Sequence, residues 1–96
     1  MNALLPRIVS VEPVIFGVVK LVWNDGFEGV VDLRPAIADG EVFEYLRNPD
    51  HFSKVAVSEY GHSIFWVDDT GYEIDFGADQ LREDAEKQAE LHRLAG

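Results

Sequence analysis

Apolar and polar residues alternate along the first third of the chain, and this period of two is typical of strands with one face against a core. The pattern predicts strands at residues 7–13, 14–23 and 27–33. Pro13 suits the end of the first strand, because proline cannot donate a ladder hydrogen bond. Val9 and Val11 share one face of the first strand, and the inward side chains of the next two strands are Val19, Leu21, Trp23, Phe27, Val31 and Leu33.

A tight turn is predicted between the second and third strands. The Asn24-Asp25-Gly26 sequence is a strong hairpin signal, because glycine adopts positive φ at no steric cost. A loop of this length places Trp23 opposite Phe27 on one side of the sheet. It also brings Lys20, on the wet face of its strand, near acidic side chains of the neighbouring strand.

In the middle of the chain, the spacing of the apolar residues changes. Residues 34–40 form a connection bounded by proline and glycine, and residues 41–47 have the apolar spacing of a short helix. Residues 48–50 end that helix, because the residue before a proline avoids the helical region. Three further short strands are predicted at residues 54–58, 62–67 and 72–76.

The last part of the chain, residues 78–95, predicts one helix, since it is rich in strong helix formers and contains no interior glycine or proline. Its apolar stripe is thin and consists of Leu81, Ala85 and Ala89 with Leu91 or Leu94. A helix this weakly apolar is not expected to be a core helix. It covers a sheet edge, packs on a partner subunit or projects outward.

These elements predict an α+β fold with a mainly antiparallel sheet of five to six short strands, one short central helix and a C-terminal helix. We expect a single domain over residues 1–96, with the sheet and short helix at 6–76 and the long helix at 78–95. A chain of 96 residues has no room for a second core.

Composition and charge exclude several classes of function. The chain has no cysteine, which excludes a disulfide scaffold, a thiolate zinc site and cysteine catalysis. Its net charge of −10 argues against direct binding to nucleic acid or to an anionic membrane. The start of the chain has no signal-peptide pattern, so we expect a cytoplasmic protein.

The negative charge concentrates in the second half, where residues 68–90 hold nine acidic residues against two basic ones. Asp68, Asp69, Glu73 and Asp75 form an acidic segment, residues 68–75, that offers hard oxygen ligands and a glycine. Its spacing differs from that of an EF-hand, in which ligands alternate and the glycine comes sixth. We therefore expect a solvated acidic turn, and we expect neither a metal nor a cofactor.

Catalytic signals are weak throughout. His51, His62 and His92 lie on different predicted elements and have no nucleophile or carboxylate at a catalytic or zinc-ligand spacing. No glycine-rich phosphate loop and no Gly-x-Ser-x-Gly turn occurs. We expect surface histidines and no enzymatic activity.

The order of elements, with particular residues at their joints, resembles a bacterial family known as domain of unknown function 2442. The matching segments are Pro6 to Val11, Trp23 to Gly26, Val31 to Pro35, Gly40 to Phe43, Leu46 to Asp50 with Phe52, Ile64 to Trp66, and Ile74-Asp75 before the helix that contains Leu81. The family commonly has Trp-Pro-Asn-Gly where this chain has residues 66–71. It also begins its helix with Ser-Pro-Glu where this chain has residues 77–79.

The resemblance implies an α+β fold with no assigned enzymatic activity and no catalytic residues to carry over. Some members of the family carry a helix-turn-helix domain after this one, and others are encoded in arrangements that look like toxin–antitoxin pairs.

We therefore expect a small interaction module, antitoxin-like or regulatory, that binds a basic protein partner or a second copy of itself. The expected contact residues are Asp68, Asp69, Glu73 and Asp75, with Glu83 on the acidic helix. A surface of one sign steers a partner of opposite sign. The alternative is a regulatory domain that binds a metal or small ligand through residues 68–75.

Overall fold

The computed structural model describes residues 7–95, and within that range it leaves the side chains of His92 and Ala95 undescribed. The strands are β1 (Ile8–Ile15), β2 (Val18–Trp23), β3 (Glu28–Asp32), β4 (Ala56–Val57), β5 (Ser63–Val67) and β6 (Glu73–Gly77). The helices are α1 (Arg34–Asp39), a 3₁₀ helix (Glu41–Arg47), α2 (Pro49–Phe52) and α3 (Ala78–Ala95). The predicted start of the sheet region at Pro6, the terminal residues of the predicted domain and the His92 side chain lie outside this description.

The α+β class and the antiparallel pairing are confirmed, but the prediction of one continuous sheet is wrong. The strands form two three-stranded sheets, ordered β1-β2-β3 and β4-β5-β6. On the side of β1 away from β2, the backbone N–H of Ile8 donates to Gly61 O at 2.9 Å, at the turn between β4 and β5. The register of β1 shifts between Ile8 and Ser10, and β4 is only two residues long. Strand-to-strand hydrogen bonding is therefore not continuous from the first sheet to the second.

The hairpin predicted at Asn24-Asp25-Gly26 is confirmed. The N–H of Trp23 donates to Phe27 O at 2.9 Å, and Lys20 Nζ lies 3.4 Å from Glu28 Oε1 on the outer face. The inward positions predicted on β2 and β3 are buried or partly buried.

Two details of the first sheet differ from the prediction. Residues 14–23 are not one strand, because the chain turns at Phe16 and Gly17, and Gly17 has a φ of +82°. Val9 and Val11 do not share a face, because the register shift turns Val9 outward, where it is 62% exposed, while Val11 packs against the core.

The middle segment contains more helix than predicted. Residues 34–39 form α1 instead of a connection, with Pro35 in the first turn, where a missing N–H is harmless. Residues 41–47 form a 3₁₀ helix. Asn48 does not simply end that helix, because its side chain accepts a hydrogen bond from Asp50 N at 2.9 Å and caps α2.

The predicted C-terminal helix is confirmed, but its first half is a core helix, contrary to the expectation. Ala78, Leu81 and Ala85 are buried in one hydrophobic cluster with residues of both sheets. Helix α3 can approach β3 this closely because residue 29 is glycine, and a Cβ placed there would lie 2.8 Å from Ala85 Cβ. Leu91 and Leu94, farther along, are exposed.

No helix in the described part of the chain combines the length and apolar character needed to span a bilayer.

Candidate functional site

The turn between β5 and β6 is organised by the side chain of Asp68. Its Oδ1 accepts three hydrogen bonds, from Thr70 N at 2.9 Å, Thr70 Oγ1 at 2.7 Å and Tyr72 N at 2.9 Å. The backbone of Asp68 closes the same turn, because its N–H donates to Tyr72 O and its carbonyl accepts from Gly71 N. Gly71 has a φ of +90°, which a side chain would strain. The turn therefore holds its shape through its own atoms.

These contacts also fix the charge of Asp68. The hydrogen bond from the Thr70 hydroxyl is the largest cause that lowers the pKa of Asp68 below its ordinary value, and backbone N–H groups of the turn add to it against the opposing effect of burial. A carboxylate that accepts several hydrogen bonds is stabilised in its ionised form. Asp68 is therefore negative at neutral pH.

The turn forms one wall of an open groove, which we call the acidic groove. It has a volume of about 570 Å³. Its lining residues are Glu41, Val42, Glu44, Tyr45, Asn48, His51, Asp68, Asp69, Thr70 and Tyr72. Four of these side chains are carboxylates, and none is lysine or arginine. Within residues 7–95, no ion pair involves the four carboxylates.

The opposite wall comes from the 3₁₀ helix and α2. Side chains three residues apart eclipse in a 3₁₀ helix, so Glu41 and Glu44 lie on one face. Behind them the rings of Tyr45 and His51 stack, with centroids 3.9 Å apart and an interplanar angle of 8°. His51 Nδ1 lies 2.7 Å from Tyr45 O. A carbonyl oxygen only accepts, so Nδ1 carries the hydrogen and Nε2 stays available.

The groove also exposes apolar surface. Val42 is 60% exposed and Tyr72 is 59% exposed, one on each wall. The 3₁₀ helix is held beside β6 by Phe43, whose ring stacks on Phe76 with centroids 5.2 Å apart. This packing leaves Val42 free to face solvent.

The predicted contact residues occupy three places. Asp68 and Asp69 line the acidic groove. Glu73 and Asp75 are exposed on β6, where a spacing of two residues puts them on one face. Glu83 lies on α3 and faces Lys87 at 3.5 Å, which is the i, i+4 pair expected from the sequence.

Sequence reasoning missed the second wall. It predicted a short helix at residues 41–47 from its apolar spacing and gave no role to Glu41 and Glu44, although their spacing was a usable signal. No spacing in the sequence joins these glutamates to Asp68 and Asp69.

Metal or ligand binding by residues 68–75 is the alternative to the expected solvated turn, and both stay predictions. In the described part of the chain, no group of three or more His, Cys, Asp or Glu side chains is arranged to hold a metal ion.

No protein-family model, no curated protein and no solved structure matches the chain. The resemblance to domain of unknown function 2442 therefore stays a prediction.

Proposed function

We propose that this protein is a non-enzymatic interaction module that binds a basic segment of a partner protein in the acidic groove. The observation that carries the proposal is that one open groove combines two exposed side chains, Val42 and Tyr72, with four carboxylates that form no ion pair with any described residue.

The charge of the groove favours a cationic partner. Carboxylates of one sign attract a basic segment during encounter and repel acidic surfaces, including nucleic acid phosphates. Among the described residues, six acids pair with a basic side chain, as at Asp25, Asp32 and Glu86. The acids of the groove have no such partner in residues 7–95, which supports a role for their charge in binding a second molecule.

The aromatic residues of the groove suit lysine and arginine side chains. A cation that lies over a tyrosine ring is stabilised by the electron-rich face of the ring. The exposed ring of Tyr72 and the stacked pair of Tyr45 and His51 offer such faces beside carboxylates. Burial of Val42 would add an apolar contribution.

The resemblance to domain of unknown function 2442 supports an antitoxin-like or regulatory role, in which the partner is a small basic protein. A cytoplasmic location agrees with such a role and is part of the proposal.

The charge of the groove can be tested with a double variant and a matched control. The probe is a short lysine-rich peptide, titrated by isothermal calorimetry at low and high salt. Glu44→Gln with Asp69→Asn is expected to weaken binding by about tenfold and to flatten its salt dependence. Glu12→Gln with Glu59→Gln removes the same charge from exposed positions outside the groove and is expected to change binding little.

The aromatic contribution has its own control. Tyr72→Ala in the groove is expected to weaken the peptide by about threefold to tenfold, which corresponds to one exposed cation–π contact. Tyr60 is 64% exposed on the turn between β4 and β5, so Tyr60→Ala removes an equally exposed ring outside the groove. Equal affinities for the groove and control variants would contradict the proposal.

A further inference from the structure

Strand β6 is the edge of the second sheet. In the order β4-β5-β6 it pairs with β5 on one side, and on its other side the described residues supply no strand. An edge strand presents unpaired N–H and C=O groups to solvent, which another extended chain can use.

The hydrogen bonds at the two ends of the β5–β6 hairpin show which groups are free. The N–H of Ala78 donates to His62 O at 2.7 Å, and the N–H of Asp68 donates to Tyr72 O at 2.9 Å. In an antiparallel ladder, hydrogen-bonded pairs alternate with pairs that have no hydrogen bond. Counting from either end, every second residue pair of the β5–β6 ladder is therefore hydrogen-bonded. The residue pairs that lie between those pairs have no hydrogen bond.

The intervening residues of β6 are Glu73, Asp75 and Gly77, so their N–H groups point away from β5. A separate observation agrees: the carbonyl of Ser63, the partner of Gly77 in the register, accepts from Ser58 N at 2.9 Å on the far side of β5. Among the described residues, no hydrogen bond outside the β5–β6 ladder involves the backbone of Glu73 or Asp75.

The face of β6 that carries Glu73 and Asp75 is open, because both residues are exposed and a Cβ built on Gly77 would have no atom within 4 Å. Gly77 has no side chain, so its exposure shows that the backbone at this end of the edge is accessible. Neither Glu73 nor Asp75 takes part in an ion pair with a described residue.

We propose that the partner's basic segment continues from the acidic groove past Tyr72, which lines the groove and directly precedes Glu73, and adds as an extended antiparallel strand along the edge of β6. Its basic side chains lie at alternate positions opposite Glu73 and Asp75. This inference rests on the proposed function and deepens it by naming the binding mode. Main-chain hydrogen bonds hold the segment to the edge, and cross-strand pairs of opposite charge select its sequence.

A second copy of this chain fits the edge poorly. If two β6 strands paired antiparallel about a twofold axis at Asp75, the two Asp75 carboxylates would lie opposite each other. The free edge of β3 has the same difficulty, since pairing about Val30 would set Glu28 against Asp32. Like charges directly opposite are destabilising. Charge complementarity therefore favours a basic segment from another protein.

Backbone methylation of a synthetic peptide tests the binding mode. The probe is a short peptide in which lysine and threonine alternate, titrated by isothermal calorimetry. Lysines opposite Glu73 and Asp75 turn their N–H groups toward the edge, whereas threonine N–H groups point away from it. Methylation of the lysine backbone nitrogens is expected to weaken binding at least about tenfold. Methylation of the threonine nitrogens, with the same charge and bulk, is expected to change it little.

Substitutions at residue 75 test the same edge from the protein side. Asp75→Asn removes the charge and keeps the N–H, while Asp75→Pro removes both. Proline is tolerated on an edge strand where the N–H faces solvent. Asp75→Pro is expected to bind the alternating peptide about tenfold more weakly than Asp75→Asn. Circular dichroism checks the fold of each variant, and the methylated peptides decide the question on the unchanged protein if Asp75→Pro does not fold.

The outcomes separate this inference from the proposed function. If the two methylated peptides bind alike while the groove variants still weaken binding, strand addition is overturned and the proposed function stands. If no lysine-rich peptide binds, both are overturned. Sedimentation that shows a dimer of the unchanged protein, lost in Asp75→Pro and kept in Asp75→Asn, would show that a second copy takes the edge and would overturn the inference.

Discussion

The turn between β2 and β3 and the turn between β5 and β6 are built alike but use their charge differently. In the turn between β2 and β3, Asp25 Oδ1 accepts from Phe27 N at 3.1 Å, much as Asp68 organises the turn between β5 and β6. The difference is a cation. Arg82 of α3 reaches Asp25 with both terminal nitrogens, at 3.1 and 2.9 Å. No arginine or lysine of the described residues pairs with Asp68.

The first turn is thereby joined to the rest of the fold. The Arg82 guanidinium carbon lies 4.3 Å from the centroid of the Phe27 ring and 5.4 Å from that of Trp23, and its Nε pairs with Glu86. The Arg82 hydrogen bond is the largest cause that lowers the pKa of Asp25. An acid at this turn serves tertiary structure, whereas Asp68 and Asp69 in the second turn form no ion pair with a described residue.

The largest expected effect on the free energy of unfolding comes from forcing α3 away from the β2–β3 hairpin, which carries the first turn. Gly29→Ala places a methyl group 2.8 Å from Ala85 Cβ and 3.0 Å from an edge carbon of the Phe27 ring. Overpacking of this kind is expected to lower the free energy of unfolding by about 1–3 kcal/mol, measured by urea unfolding. Adding Ala85→Gly removes one of the two clashes and is expected to restore part of the loss. A Gly29→Ala protein as stable as the parent would show that the helix can shift without cost.

The next largest effect on stability is expected when the cation at the first turn is removed. Arg82→Ala removes the aromatic contacts and the ion pairs of a largely buried side chain, and is expected to cost about 1–2 kcal/mol. Lys87→Ala is the control, because it removes an exposed ion pair from the same helix and is expected to cost less than about 0.5 kcal/mol. Equal losses in the two variants would mean that Arg82 does not join turn and helix.

A smaller effect is expected at the second turn. Asp68→Ala removes the acceptor of three hydrogen bonds and is expected to lower the melting temperature by less than Arg82→Ala does. Asp68→Asn keeps an oxygen at the same place and is expected to melt close to the parent protein. If Asn and Ala variants melted alike, the charge of Asp68 would matter to the fold more than its hydrogen bonds.

The smallest effect is on the pH dependence of stability. The pKa of Asp25 is lowered from its ordinary value of 3.8 by the hydrogen bond from Arg82. The folded state therefore binds this proton less readily than the unfolded state, and the stabilisation is present above pH 3.8 and is lost as pH falls below it. Asp25→Asn is expected to be less stable than the parent at neutral pH and to lose less stability on acidification. Urea unfolding at several pH values measures both, with Asp69→Asn as the control for removal of one charge.

Local patterns in the sequence predicted the turns after β2, β4 and β5 and the long helix, because the residues that decide them are close in the chain. The turn at Phe16 and Gly17 was missed. Asn24-Asp25-Gly26 fixes its own turn, and the pairing of Lys20 with Glu28 follows from that turn. The two sheets meet where Ile8 N donates to Gly61 O, a contact between residues far apart in the chain that no local pattern reveals.

For the same reason, only one of the two walls of the candidate site could be predicted from the sequence. The acids of residues 68–75 are visible as a cluster in the sequence. Glu41 and Glu44 join them only because the stacking of Phe43 on Phe76 brings the 3₁₀ helix beside β6. A short apolar spacing also does not distinguish an α-helix from a 3₁₀ helix, although Glu41 and Glu44, three residues apart, share a face in either one.

The two tryptophans give the molecule a pair of optical reporters, one in each sheet. Trp23 lies in β2 beneath Arg82, and its indole N–H has no hydrogen-bond partner among the described residues. Trp66 lies in β5, and its indole N–H donates to Phe52 O at 2.9 Å. Both are buried in one cluster. With either one replaced by phenylalanine, the fluorescence of the other follows the formation of its own sheet, so kinetic experiments can tell whether the halves assemble together or in sequence.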